Sequence, residues 1–180
     1  MTSDRPDGMI QVYTGDGKGK TTAAIGQGVR AVGTGKTVYM VQFLKGGPTG
    51  EIAALSALSP KFQVFRFGEE RDFVWQLSDD EVSALRSETR DAFLFAVSVI
   101  KDESADMLVL DEIMAAIENG FLDVEEVVAA IKNKPLQMEI VLTGRNAPRS
   151  IIDIADYVSN IICIKHPFKK KKSAREGIEY

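Results

Sequence analysis

The sequence predicts an α/β fold: a single domain built on a mainly parallel, six-stranded sheet with helices on both faces. Three observations predict it. Six apolar or β-branched runs of strand length alternate with stretches of helical character along 180 residues. That alternation implies right-handed crossovers and a parallel sheet covered on both sides. The composition, 44% hydrophobic and 27% charged, is that of a globular chain able to bury one core. Finally, the glycine-rich and charged segments follow the strands, and that is the edge where open parallel sheets bind ligands.

The elements follow in order. Met9 to Tyr13 reads as the first strand, and the alanine-rich run Thr21 to Val32 as the first helix, stopped by Gly33-Thr34-Gly35. Thr37 to Phe43 is β-branched and aromatic and predicts the second strand, which empties into the loop Lys45 to Gly50. A short helix is expected over 51–58, and the alternating run Phe62 to Phe67 predicts the third strand. Gly68 to Leu77 is a loop with Phe73 and Trp75. Ser78 or Asp79 caps a helix running to about Glu103, with acids in its first turn. Met107 to Leu110 is a fourth strand ending in Asp111-Glu112. Helices over 113–119 and 123–133 are separated by Asn119-Gly120. Glu139 to Thr143 is a fifth strand running into Gly144-Arg145-Asn146, Ser150 to Ala155 is helical, and Tyr157 to Lys165 is a sixth strand. Residues 1–8 read as a polar N-terminal tail and 169–180 as a basic C-terminal tail of one domain spanning 1–180.

Composition narrows the function. A net charge of -4 argues against nonspecific nucleic-acid binding. The lone cysteine, Cys163, excludes an internal disulfide and a cysteine-based metal cluster, and its apolar neighbours predict a buried core position in a reducing cytoplasm. No apolar run approaches the roughly 20 residues that cross a bilayer. The first residues also lack a signal-peptide core.

Strand, glycine loop and helix in the order Val12 to Thr22 make a phosphate cradle. Backbone N–H groups and the positive helix end converge on an anion. Lys20 adds a point charge at the phosphates, and the Thr21 hydroxyl suits a phosphate-bound Mg²⁺. The usual P-loop, G-x-x-x-x-G-K-[ST], would place glycine at position 14, where Thr14 stands; counted from Gly15, the loop is one residue short. Four apolar residues before Asp111-Glu112 fit a Walker-B element, with Asp111 placed to hold Mg²⁺ directly or through water. Glu112 suits either activation of water or orientation of the nucleotide. Together these motifs predict a P-loop NTPase-like domain.

Phe73 and Trp75 on their own read more readily as core than as ligand contacts, although their i, i+2 spacing aims both to one side of an extended loop. Arg30 lies about 15 Å along the helix from Lys20, out of reach of the loop, and reads as structural or interfacial. His166, the single histidine, has no triad partners nearby in sequence. The run Lys169 to Lys172 reads as a solvated segment.

These residues together resemble the P-loop corrinoid adenosyltransferases, which act on cob(I)alamin or cob(I)yrinic acid a,c-diamide. The likeness spans nearly the whole chain. It rests on Thr14 to Ala24 with its shortened loop, Arg30 to Gly33, Val41 to Gly46, Phe73-Val74-Trp75, Val109 to Glu112 and Val141 to Arg145. It continues through Ile154-Ala155-Asp156, Lys165 to Phe168 and Gly177 to Tyr180. The resemblance implies that a reduced cobalt(I) corrinoid attacks the 5′ carbon of ATP and expels inorganic triphosphate. It implies ATP contacts from Gly15, Asp16, Gly17, Lys18, Gly19, Lys20, Thr21, Thr22, Glu112 and Arg145, with Lys20 and Thr21 acting in catalysis. Thr21 and Asp111 would hold Mg²⁺ or Mn²⁺, and Phe73 and Trp75 would contact the corrin's lower face and displace its axial ligand. It further implies an electron donor such as a flavodoxin or reduced flavin, a cytoplasmic location and a homodimer. Asp16 stands where other members carry Asn, and the N-terminal tail is shorter than in some. Two alternatives compete: a generic P-loop ATPase or kinase, and a nonenzymatic nucleotide-dependent corrinoid carrier.

Overall fold

The computed structural model describes residues 7–71, 74–167 and 174–178. The chain runs β1 (Ile10–Thr14), α1 (Lys20–Val32), β2 (Val38–Gln42), α2 (Gly50–Ser56), β3 (Phe62–Phe65) and a 3-10 turn (Val74–Gln76). It continues through α3 (Asp79–Lys101), β4 (Met107–Asp111), α4 (Ile113–Glu118), α5 (Val124–Lys132), β5 (Glu139–Thr143), α6 (Arg149–Ile152) and β6 (Tyr157–Asn160). The strands form one sheet in the order β3-β2-β4-β5-β1-β6, and all of its pairings are parallel.

The central strands are continuous apolar runs because helices cover both faces. Every residue of β4 is buried. Alternate side chains split between two cores. Val12, Val41, Leu108, Leu110, Ile140 and Leu142 pack with residues of α3, α4 and α5, including Phe93, Met114 and Ile131. Val38, Met40, Met107, Val109 and Val141 face the other way, against Ala24 and Ala31 of α1 and Leu55 of α2. The capping box predicted for α3 is present: the Glu81 N–H donates to Ser78 Oγ, and the Ser78 N–H donates to Glu81 Oε2 at 2.8 Å.

This order brings the ends of β1, β5 and β4 side by side at the carboxyl edge. The phosphate loop follows β1, the Lys45 loop follows β2, Asp111-Glu112 ends β4, and Thr143 ends β5. The sheet therefore gathers residues distant in sequence along one ligand-binding edge.

Four expectations are corrected. The sixth strand stops at Asn160 rather than Lys165, because β6 is an edge strand paired only with β1, and the chain beyond it turns onto the phosphate loop. Cys163 is accordingly half-buried, not a core residue, and its neighbours Ile162 and Ile164 are exposed. The third strand ends at Phe65, level with Val41 of β2, and Arg66 then turns toward the site. Gly8, read as tail, is docked: its N–H donates to Leu136 O at 2.8 Å, and its own carbonyl accepts from Lys134 Nζ at 2.6 Å. The run Lys169 to Lys172 lies outside the described residues.

Candidate active site

The phosphate loop is shaped from behind. The Ile161 N–H donates to Thr14 O at 2.8 Å, and the Gly17 N–H donates to Ile161 O at 2.7 Å. A Cβ on Gly17 would lie 2.7 Å from Ile161 O and from Ile161 Cγ2, so glycine is required there for close packing. Gly19 is glycine for a different reason. Its φ of +119° is a conformation L side chains rarely adopt, and the space beside it is open. Gly19 begins α1, which has neither a side-chain cap nor an acid in its first turn. Helix geometry leaves the first N–H groups of α1 without intrahelical partners, and no side chain caps them here. Lys20 Nζ donates to Gly15 O at 2.7 Å and Gly17 O at 2.9 Å, so its ammonium is held inside the loop. Burial lowers its pKa, with Arg145 acting in the same sense and Glu112 and the two aspartates Asp16 and Asp111 opposing.

Asp111 is the second centre. It is fully buried, and its carboxylate accepts four hydrogen bonds from four other elements or loops. Thr21 Oγ1 at 2.8 Å and Thr143 Oγ1 at 2.7 Å donate to Oδ1. Gln42 Nε2 at 3.1 Å and Lys45 Nζ at 2.7 Å donate to Oδ2. Thr143 also accepts from the Glu112 N–H at 2.9 Å, fixing the left-handed turn at Glu112, where φ is +62°. Arg66 extends the network: its Nε donates to Gln42 Oε1 at 2.7 Å and its Nη2 to Thr49 Oγ1 at 2.7 Å. A buried carboxylate with every lone pair engaged is held in one place.

Two cavities meet at this centre. The larger, about 900 Å³, is lined by residues 16–22 together with Glu112 and Arg145, and so gathers every residue assigned to ATP except Gly15. Gly15 faces Asn160 and Ile161 instead. His166 and the C-terminal Gly177 and Ile178 also line it, and Lys18 Nζ donates to Ile178 O at 2.6 Å. The smaller cavity, about 430 Å³, holds Trp75, Phe67 and Leu85 in its walls. Trp75 is 78% exposed and sits on a 3-10 turn rather than an extended loop, so the single tryptophan is no core residue. Phe73 lies outside the described residues. Lys45 and Glu112 line both cavities. Burial raises the Glu112 pKa and Asp111 adds to the rise, while Lys45, Lys20 and Arg145 oppose it.

Sequence reasoning brought Lys20, Thr21, Asp111, Glu112 and Arg145 together but assigned no site role to Gln42, Lys45, Arg66 or Thr143. One signal was available. Gln42 and Thr143 are polar residues closing otherwise apolar strands, and such positions abut the ligand edge of a parallel sheet.

Comparison with known proteins accords with this geometry. The family model described as ATP:corrinoid adenosyltransferase BtuR/CobO/CobP matches residues 6–180. The corrinoid adenosyltransferase of Escherichia coli K12 is 40% identical over 96% of this chain and 86% of its own length. Those of Salmonella typhimurium and Pseudomonas aeruginosa are 38% and 34% identical over the same share of this chain, and over 86% and 84% of theirs. Among solved structures, the flagellar accessory protein FlaH of Methanocaldococcus jannaschii superposes with a TM-score of 0.55 at 17% identity, covering 88% of this chain and 73% of that one. A KaiC-like protein of Pyrococcus horikoshii gives 0.51 at 18%, covering 87% and 74%. These two share the fold alone. The phosphate loop, the Asp111 centre and the sequence match lead to one conclusion: the chain belongs to the ATP:corrinoid adenosyltransferase family.

Proposed function

We propose that this protein transfers the 5′-deoxyadenosyl group of ATP to the cobalt(I) of a corrinoid and releases inorganic triphosphate. The observation that carries the reading is the pair of adjoining cavities, one a phosphate cradle and one largely apolar, sharing the wall formed by Lys45 and Glu112. The triphosphate lies over α1 and Lys20 with C5′ turned toward the shared wall, and the corrin enters from the Trp75 side. The cobalt(I) electron pair forms the cobalt–carbon bond, the C5′–O bond breaks, and its electrons leave with triphosphate. No general base is needed, because the nucleophile is the metal of the substrate. Lys20, Arg145 and the α1 N-terminus stabilise the charge gathering on the leaving group, and fixed charges of this kind lower such barriers.

Asp111 and Thr21 fit a hard divalent cation. The carboxylate already holds one positive charge, the Lys45 ammonium, with the Thr21 hydroxyl 3.3 Å from that nitrogen. Mg²⁺ or Mn²⁺ held by Asp111 and Thr21 would offset the negative charge of the triphosphate. Phe73 and Trp75 cover the lower face of the corrin and compete with its axial donor, easing reduction by a flavodoxin or reduced flavin. The protein works in the cytoplasm as a homodimer, and the exposed edge of β6, with Tyr157 and Val158, offers a surface for a partner. Among the described residues no helix is long and apolar enough to cross a membrane. The test is an anaerobic reaction with ATP, a strong reductant and a corrinoid, scoring adenosylcorrinoid and triphosphate. ADP and phosphate as the products would establish an ATPase instead.

A further inference from the structure

Lys45 and a divalent cation compete for one position. The Lys45 ammonium donates to Asp111 Oδ2 at 2.7 Å and to Thr21 Oγ1 at 3.3 Å. Thr21 gives its own proton to Asp111 Oδ1 at 2.8 Å, which leaves its lone pairs for the ammonium. The nitrogen therefore lies where a carboxylate oxygen and a hydroxyl oxygen converge, and oxygen donors of this kind suit a hard cation. Mg²⁺ takes its oxygens at about 2.0–2.1 Å, and an ammonium cannot share that position with a double positive charge.

Lys45 is also built to leave. Lys20 is tied to the carbonyls of Gly15 and Gly17, and Lys18 to that of Ile178. Lys45 instead is 27% exposed, lines both cavities and carries its charge on a flexible four-carbon stem. On the apolar side, the Glu88 carboxylate is already held by both terminal nitrogens of Arg71. A triphosphate in the nucleotide cavity presents several negative charges and draws the ammonium that way.

We propose that Lys45 holds the metal position as a placeholder, and that the arriving cation displaces its ammonium onto the triphosphate, where it joins Lys20 and Arg145 in stabilising the leaving group. The proposal rests on the reading of Asp111 and Thr21 as metal ligands and adds a residue that couples metal entry to charge at the reacting end.

The wild type carries the first test, without turnover. Acetic anhydride labels lysines, and peptide mass spectrometry reads Lys45 by itself. Its labelling should rise about fivefold when Mg²⁺ alone is added, and fall again when ATP follows. Lys45→Met keeps the length of the stem and removes the charge. Electron paramagnetic resonance of Mn²⁺ should show about tenfold tighter binding to this variant than to the wild type, both without ATP. Adding Thr21→Ala should abolish that gain. In anaerobic turnover Lys45→Met should reach half its maximal rate at about tenfold less Mg²⁺. Its kcat should nevertheless fall by on the order of 10²–10³, as expected for one lost charge on the leaving group. Lys45 labelling that ignores Mg²⁺, Mn²⁺ binding no tighter in Lys45→Met, or an unchanged kcat overturns the proposal and leaves the metal reading intact. Mn²⁺ bound by Lys45→Met equally with and without Thr21→Ala overturns the metal reading and the proposal with it.

Discussion

Replacing Asp111 by Asn tests the central claim about the site, that one buried carboxylate ties the phosphate loop to three other segments. The substitution keeps the volume but exchanges one acceptor oxygen for a donor amide. Whichever way the amide lies, it meets donors: the Thr21 and Thr143 hydroxyls on one side, Gln42 Nε2 and the Lys45 ammonium on the other. The threonine hydroxyls can rotate, but the ammonium can only donate. Breaking a buried ion pair costs about 3–5 kcal/mol. Lys45 is 27% exposed and can swing into the adjoining cavities, which recovers part of its hydration. A loss of about 2–3 kcal/mol remains, composed of the stranded ammonium and one or two misdirected hydrogen bonds. In a chain of this size each 1 kcal/mol lowers Tm by about 2–4 °C, so a fall of roughly 4–12 °C is expected. Calorimetry of the free protein measures it, and titration with MgATP should show a weakened metal dependence as well. A Tm within about 2 °C of the wild type would refute the four-donor centre, since no such carboxylate can be exchanged that cheaply.

Gly17→Ala and Gly19→Ala should both weaken ATP binding but for different reasons. The first forces the backbone of Ile161 away and costs about 2–4 kcal/mol in urea denaturation; the second pays only the left-handed backbone strain of about 1–2 kcal/mol. Equal stability of Gly17→Ala and the wild type would show that the segment after β6 does not support the loop. Glu112→Gln should change the pH dependence of stability. The folded pKa of Glu112 is raised above 4.5, so its contribution is present below that value and is lost as pH rises through the folded pKa. The variant should therefore gain Tm relative to the wild type as pH rises above 4.5, and a pH-independent difference would contradict the burial argument. Phe73→Ala with Trp75→Ala should fail on cobalt(II) corrinoid with a mild reductant yet recover much of its rate when cobalt(I) is supplied. Equal losses under both conditions would remove the ligand-displacement role.

The fold was legible wherever a residue's fate depends on its own neighbours. Met107-Leu108-Val109-Leu110 is apolar throughout because both faces of a central strand are covered, and five such runs pointed to one sheet. The sixth misled because the apolar run Ile161 to Ile164 continues the stretch from Tyr157 as if the strand went on. What ends it at Asn160 is a contact with the phosphate loop, about 145 residues earlier, and no local pattern records that. The site divides in the same way. Lys20 and Thr21 belong to a contiguous motif and could be read directly. Gln42, Lys45 and Thr143 meet Asp111 across separations of 69, 66 and 32 residues, and nothing in their own stretches tells them from ordinary loop or strand-end polar residues.

The glycines of the loop carry this distinction furthest. Glycine at 15, 17 and 19 reads in sequence as one device for approaching phosphate. In the fold the space a Cβ would need at Gly15 and Gly17 is filled by residues 160–162, and only at Gly19 is that space open. The Gly17 N–H is spent on Ile161 O rather than on an anion. The loop that is one residue short is therefore also backed by protein on one side. With the Gly17 N–H engaged, the uncapped start of α1 supplies the positive end. A cradle reduced in this way grips a phosphate chain mainly from the helix side and leaves the rest of the nucleotide to the wall shared by Lys45 and Glu112. That arrangement suits a reaction at C5′ better than one at the terminal phosphate.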